Sequence, residues 1–161
     1  IATLITMNGT IEDLKELELT YSPMFSTAKD VVNMAALVAT NILENRFKQV
    51  HVDEVRGLVE SDAYILDVRE VGEFANGHIK NAVNIPLSEL RERMNEIPKD
   101  RTIYVHCRSA QRSYNAVMAL LHNGYENVYN VSGSFLGICL YEYFNDVTKN
   151  REPIVTQYNF K

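Results

Sequence analysis

Three shortages in the sequence narrow what this protein can be. The 161 residues contain only two cysteines, Cys107 and Cys139, too few for the disulfide framework of a small secreted domain. No apolar run approaches the roughly 20 residues that a membrane-spanning helix needs. Acidic residues outnumber basic ones, 21 to 16, and the net charge of −5 argues against nucleic acid as a partner. We therefore expect a reduced, cytoplasmic protein without membrane or nucleic-acid partners.

One short segment carries most of the chemical information. An apolar strand, Thr102 to Val105, is followed almost at once by Cys107 and then by an amphipathic helix. Backbone N–H groups at such a strand-to-helix turn lack partners, and together with the helix dipole they form an anion site. A thiol held there should ionise at neutral pH, and Arg108 and Arg112 add fixed positive charge. The segment predicts a thiolate nucleophile that faces an anionic substrate. The other loop residues are expected to bind substrate mainly through backbone N–H groups: Ser109, Ala110, Gln111 and Ser113.

Four residues upstream are expected to support this loop rather than react. Asp67 and Arg69 lie at the end of a predicted strand, and in a parallel sheet ligands bind beyond such ends. Arg69 and Glu73 are four residues apart, a spacing that permits an ion pair on a short helix. His78 is expected to be a structural hydrogen-bonding residue. The four histidines and two cysteines do not have metal-ligand spacing, so no metal is expected.

From Phe47 onward, short apolar strands alternate with helices, which predicts an α/β fold with a parallel sheet of about five strands flanked by helices. A preceding helix, from Ala28 to about Asn45, carries apolar residues with a period near 3.6, and this stripe should cover the domain or a second copy of the chain. Three parts are expected: residues 1–46, the α/β domain at 47–148, and an irregular extension at 149–161. The expected strands lie near 49–51, 64–67, 82–84, 102–106 and 127–129, and the helices near 53–60, 70–75, 87–96, 113–122 and 134–144.

Two motifs in this domain resemble rhodanese-type sulfurtransferases. Four residues separate Cys107 from Arg112, as in the active-site loop of that family. The resemblance spans about residues 49 to 148 and implies a rhodanese-like fold. It also implies a sulfane sulfur carried on Cys107 as a persulfide, taken from small anionic donors such as thiosulfate, polysulfide or a persulfide. The family's leading signature is matched by Leu66 to Glu70, Glu73-Phe74, Gly77-His78-Ile79, Ala82 and Ile85-Pro86.

The chain departs from the family pattern at two places. Ala110 stands where many members have glycine, so a positive φ angle there would cost energy. Gly133-Ser134 stands where a Gly-Gly pair and a nearby tryptophan are common, and this sequence has no tryptophan. Neither departure removes the nucleophile, but both are expected to affect the shape of the site.

A second resemblance lies in the N-terminal part. Glu18 to Asp30, followed by Asn33-Met34-Ala35, is similar to the end of the dimerisation domain of flavin-dependent pyridine nucleotide-disulfide oxidoreductases. The similar branch includes coenzyme A-disulfide reductases, NAD(P)H oxidases and persulfide reductases, some with a fused C-terminal rhodanese domain. The resemblance implies that residues 1–46 are the end of such a domain in a longer, homodimeric enzyme that uses FAD, NAD(P)H and coenzyme A. No GxGxxG motif is present, so no cofactor is expected on this chain itself.

Other functions stay open at this stage. The same loop could serve a phosphatase or an arsenate-reductase-like enzyme, the latter with a second thiol such as Cys139. The related dual-specificity phosphatases of the cell cycle, however, have five residues between cysteine and arginine, so the shorter loop favours sulfur transfer. The domain could also be a non-catalytic docking or dimerisation module. Cys139 lies in an apolar stretch typical of a packed cysteine.

Overall fold

The structure is a computed structural model that describes residues 1–19, 24–25 and 29–160. Much of the segment from Glu18 to Asp30, which carries the reductase resemblance, lies outside the described residues. The chain forms two compact units, Ile1–Arg46 and Phe47–Lys161. No helix in the described part of the chain is long and apolar enough to cross a membrane.

Among its described residues, the N-terminal unit contains three helices: α1 (Ala2–Thr6), α2 (Ile11–Glu16) and α3 (Val31–Leu43). Thr10 and Asp13 form a capping box that satisfies backbone N–H groups at the start of α2. The Asn33 side chain donates to three carbonyls at the other end of α2, at 3.1–3.4 Å. This polar contact joins α2 to α3. Five of the apolar side chains of α3 are exposed: Val31, Met34, Val38, Ile42 and Leu43.

The second unit is built on a five-stranded sheet in which all strand pairs are parallel, which confirms the predicted fold class. The strands are β1 Lys48–Val50, β2 Tyr64–Asp67, β3 Val83–Asn84, β4 Ile103–His106 and β5 Val128–Val131. They lie side by side in the order β1-β5-β4-β2-β3, so β4 occupies the centre. Successive strand residues point to opposite faces, and therefore Leu66 and Val105 enter one core cluster while Ile65 enters the other.

Helices cover both faces of this sheet, as its two-sided apolar pattern requires. Ala116, Val117 and Leu120 pack into the core on one face, and Phe135 and Ile138 pack into the core on the other. The helices of this unit are α4 Val55–Glu60, α5 Val71–Ala75, α6 Gln111–His122 and α7 Ser134–Lys149.

One predicted helix is wrong. Residues 87–96 form a series of turns that end in a short 3-10 helix, Met94–Glu96. Most hydrogen bonds in this segment span three residues, as from the Glu89 N–H to the Pro86 carbonyl. Such tighter turns place residues three apart on one face, which lets Leu87 and Leu90 both reach the core.

The C-terminal residues pack against the domain. Ile154 and Val155 are buried, and Val155 forms an antiparallel bridge with Ile79.

In the second half of α7, the buried Glu142 and Asp146 accept hydrogen bonds from Arg56 and Arg151. Sequence reasoning missed this charged network because its members are distant in the chain. It connects α4, α7 and the C-terminal residues.

Candidate active site

Cys107 lies directly after the central strand β4, at the edge of the sheet where the parallel strands end. Its side chain is 1% exposed and belongs to the core cluster on the α6 face. Its carbonyl accepts a hydrogen bond from the Phe135 N–H at 3.0 Å, and the Arg108 carbonyl accepts one from Leu136 at 3.1 Å. The start of α7 therefore fixes the first part of the loop.

The loop enters α6 through a left-handed residue. Ala110 has φ 78° and ψ −9° and caps the helix, whose first residue is Gln111 rather than Ser113 as expected. A side chain in this conformation costs about 1–2 kcal/mol relative to the right-handed region. The glycine that is common at this position in the family would adopt this conformation without that cost. Ala110 adopts it with strain in the backbone.

Hydrogen bonds from serine residues stabilise the Cys107 thiolate. Burial raises the pKa of the Cys107 thiol, but it is outweighed by hydrogen bonds from the Ser113 side chain and backbone, the Ser109 N–H and the Ser134 hydroxyl, so the pKa is lowered overall. The Ser134 Oγ lies 3.9 Å from the Cys107 Sγ and accepts a hydrogen bond from the Cys107 N–H at 3.2 Å. It is also 3.4 Å from the Ser113 Oγ. The two hydroxyls can rotate their protons toward the sulfur when it is charged.

Ser134 is the residue that sequence reasoning did not place in the site. It follows Gly133 shortly after the end of β5, and Ser134 and Gly133 are both left-handed, with φ of 48° and 79° respectively. β5 is the neighbour of β4 in the sheet, so the residues that follow the two strands meet. The sequence did contain a signal for this role. Ser134 stands where the second glycine of a Gly-Gly pair is common in the family, and serine, unlike glycine, has a side-chain donor.

The two arginines of the loop differ in their partners. Arg112 forms a two-pronged ion pair with Glu73 on α5, at 2.6 and 2.8 Å, and both side chains are about one-third exposed. This contact lowers the pKa of Glu73, chiefly through the hydrogen bonds from Arg112. Arg108 is half-buried and forms no ion pair with any described residue. Arg108 thus follows Cys107 in the chain and has no charged partner among the described residues.

Asp67 and Arg69 form a buried ion pair, and this corrects the expected pairing of Arg69 with Glu73. The Arg69 Nε lies 3.0 Å from both carboxylate oxygens of Asp67, and its Nη2 lies 2.6 Å from Oδ2 and 2.9 Å from the Gly77 carbonyl. The guanidinium also stacks 3.9 Å above the Phe135 ring. Arg69 precedes α5 and its side chain points into the interior. There it reaches the carboxylate of Asp67, which lies two residues earlier in the chain.

His106 points away from Cys107, as the alternation of strand side chains predicts. Its ring stacks on Phe135, in the cluster on the other face. The Nδ1 lies 3.2 Å from the Cys107 carbonyl, whereas the Nε2 has no hydrogen-bond partner among the described residues and is 3.6 Å from Asp67 Oδ2. Burial lowers the pKa of His106, so we assign a neutral ring with its proton on Nδ1.

His78 and Cys139 have structural surroundings. The His78 ring stacks on Phe74 at 3.8 Å and its Nδ1 bonds the Phe74 carbonyl at 2.9 Å. Cys139 is a free, buried thiol in the cluster on the face opposite Cys107, and burial raises its pKa. Within residues 1–19, 24–25 and 29–160, no cluster of three or more His, Cys, Asp or Glu side chains could hold a metal ion.

A parallel α/β sheet with a cysteine of lowered pKa in a strand-to-helix loop is typical of domains that transfer groups through a thiolate. The family model of the rhodanese-like domain matches residues 51–140, more than half of the chain. The chain belongs to the rhodanese-like domain family, and this membership implies a sulfurtransferase type of activity. The resemblance drawn from the two motifs is therefore confirmed.

Individual relatives agree with this assignment. A sulfurtransferase of Allochromatium vinosum is 40% identical over 75 residues, which are 47% of this chain and 70% of that protein. The crystal structure of reduced Bacillus anthracis CoADR-RHD superposes with a TM-score of 0.78 and 45% identity, over 83% of this chain and 24% of that one. An NAD-dependent persulfide reductase from A. fulgidus gives 0.72 and 38%, over 82% and 23%. This chain spans about a quarter of those two proteins.

Proposed function

We propose that Cys107 is the nucleophile of a sulfurtransferase domain and carries sulfane sulfur as a persulfide. The observation that carries this proposal is the set of serine donors around the Cys107 sulfur, which lowers its pKa despite burial. A persulfide sulfur is also an anion and would use the same kind of donor. The loop N–H groups of Ser109 and Ser113 are available for it without any further side-chain base.

With thiosulfate as donor, the transfer step balances without a redox partner. The Cys107 thiolate attacks the outer sulfur of thiosulfate, a new S–S bond forms, and the original S–S bond breaks with both electrons leaving on sulfite. The total charge of −3 is the same on both sides. A thiol or cyanide acceptor then attacks the outer sulfur of the persulfide and restores the thiolate.

Arg108 is the residue that steers anionic donors in this proposal. It has no ion pair in the described part of the chain, whereas the charge of Arg112 is compensated by Glu73. An uncompensated cation beside the loop raises the local concentration of anions. Arg112 contributes to the same site by tying the start of α6 to α5, and it becomes a substrate contact only when an anion competes with Glu73.

We further propose that the domain hands its sulfur to a flavin- and NAD(P)H-dependent disulfide or persulfide reductase. The similarity to CoADR-RHD and to the persulfide reductase supports this, and because it covers 83% of the chain it extends beyond residues 47–161. The residues of this chain do not fit a flavin or a nicotinamide nucleotide, because no glycine-rich GxGxxG turn is present. Coenzyme A is one candidate carrier between the two centres.

Intact-mass spectrometry tests the persulfide. The protein is incubated with thiosulfate or polysulfide, and we expect a gain of one sulfur atom that cyanide or a reductant removes. Cys107→Ser should show no gain, whereas Cys139→Ala, which removes the other thiol, should behave like the wild type. If no sulfur is taken up from either donor, the proposal fails. Turnover of an aryl phosphate or of arsenate would then favour the other thiolate chemistries, and inactivity in all assays a docking module.

A further inference from the structure

A surface groove runs along one side of α6, and the thiosulfate step described above does not use it. Two adjoining cavities of about 560 and 460 Å³ make up this α6 groove, and they share Arg91, Asn115 and Ala119. Volumes of this size are typical of sites for small organic ligands. The first cavity is also lined by Met94, Met118 and His122, and the second by Leu87, Ser88 and Leu90.

Both walls of the groove begin near the strand ends, the same edge of the sheet at which the reactive loop lies. On α6, Asn115, Ala119 and His122 continue the face that Arg112 begins, because residues three, seven and ten positions later return to the same side of a helix. Along the helix axis, Asn115 is therefore about 5 Å from Arg112, which is less than one turn. The opposite wall starts at Leu87, whose N–H bonds the Val68 carbonyl just beyond the end of β2.

The chemistry of the α6 groove fits an anionic, partly apolar molecule. Arg91 is exposed and forms no ion pair with any described residue, while the nearby Arg93 is held by Glu89 and Glu96. Asn115 is exposed and offers an amide donor and acceptor. The thioethers of Met94 and Met118 supply polarisable apolar contacts that adapt to varied shapes.

We propose that the α6 groove binds the organic part of a low-molecular-weight thiol that exchanges sulfur with Cys107, with its acidic group at Arg91. This subsite rests on the proposed function of Cys107. For a donor RSSH, the thiolate attacks the outer sulfur, the S–S bond breaks, and RS⁻ leaves while the proton stays on the transferred sulfur. The groove holds R during that step, and it therefore discriminates between organic persulfides and inorganic donors.

Kinetics with matched donors test the subsite. Removing the charge in Arg91→Ala should raise the KM for glutathione persulfide about threefold to tenfold, as expected for the loss of one solvent-exposed hydrogen bond of ordinary strength. The KM for thiosulfate should change less than twofold, and Arg91→Lys should recover most of the loss. Lys149→Ala, which removes an exposed charge at the end of α7, should change neither value. Asn115→Phe, which fills the groove without altering charge, should act like Arg91→Ala.

A binding measurement distinguishes a failure of the α6 groove proposal from a failure of the Cys107 proposal. S-methylglutathione cannot transfer sulfur, so its binding to the Cys107→Ser variant reports the groove alone, through the methyl resonances of Met94 and Met118. Chemical-shift changes that become smaller when Arg91→Ala is added to the Cys107→Ser variant support the subsite even if sulfur transfer is absent. Unchanged resonances, or an equal rise in both KM values, overturn it. Repeating the series with coenzyme A persulfide shows whether carboxylates or phosphates are the preferred acidic group.

Discussion

The buried Asp67–Arg69 pair provides the sharpest test of how this site is supported. Both side chains are almost completely excluded from solvent, at 0% and 1% exposure, and the carboxylate receives three short contacts from the guanidinium. Changing Asp67 to Asn keeps the side-chain shape but leaves a buried guanidinium without a counter-charge. Breaking a buried pair in this way costs about 3–5 kcal/mol, far more than the pair contributes relative to an apolar replacement.

The difference between removing one charge and removing both sets the size of the expected effects. Asp67→Asn should lower the free energy of unfolding by about 3–5 kcal/mol. With a urea slope of about 2 kcal/mol/M, the midpoint falls by about 1.5–2.5 M. The double variant Asp67→Asn with Arg69→Met removes both charges and should recover at least half of the loss. The remaining deficit comes from the Gly77 carbonyl, which loses its Arg69 donor.

Urea unfolding followed by far-UV circular dichroism measures these values, since the chain has no tryptophan for fluorescence. Arg93→Met is the control, because it removes a guanidinium that forms exposed ion pairs with Glu89 and Glu96. Its midpoint should stay close to that of the wild type. A loss below about 1 kcal/mol in Asp67→Asn, or a double variant no more stable than the single one, would refute the argument from burial.

Three further predictions concern the loop itself. Ala110→Gly should raise the free energy of unfolding by about 0.5–1 kcal/mol in thermal or urea unfolding, because the left-handed strain exceeds the extra chain entropy of glycine; a destabilised variant would contradict this. Ser134→Ala should raise the pKa of Cys107 by removing a donor, so alkylation rates should rise at higher pH than in the wild type, and an unshifted profile would exclude Ser134 from the site. The ion pair with Arg112 lowers the pKa of Glu73 below its ordinary 4.5, so its stability contribution is complete above about pH 4.5 and is lost as pH falls through the lowered pKa. The stability gap between the wild type and Glu73→Gln should therefore shrink in acid, and a gap independent of pH would show that the pair contributes nothing.

Much of the fold follows from sequence because the information is local. Alternating apolar strands and helices predict a two-sided parallel sheet, and a cysteine between β4 and α6 can lie only at the strand ends. The turn segment at residues 87–96 shows the limit of that approach. Its apolar residues have a spacing that both an α-helix and a series of tighter turns can satisfy, and only packing against the sheet decides between them.

The details of the site depended on contacts between distant residues. The spacing of Arg69 and Glu73 suggested a local pair, but burial directs Arg69 to Asp67 and leaves Glu73 free for Arg112, thirty-nine residues away. The position of Ser134 likewise follows from the adjacency of β4 and β5, which the sequence order alone does not reveal. Helix spacing identifies neighbours within one element, whereas charge pairing in this site is decided between elements.

The two cysteines show what makes one of them reactive. Both thiols are buried, at 1% and 0% exposure, so burial alone would raise the pKa of each. Burial raises the pKa of Cys139 and outweighs the hydrogen bond that its sulfur accepts from the Asn159 N–H, whereas Cys107 has donors from Ser109, Ser113 and Ser134 and its pKa is lowered. Strand position brings those donors together, since Cys107 follows β4 while Cys139 lies within α7. The reactivity expected of Cys107 is thus a property of the strand ends and not of the loop sequence alone.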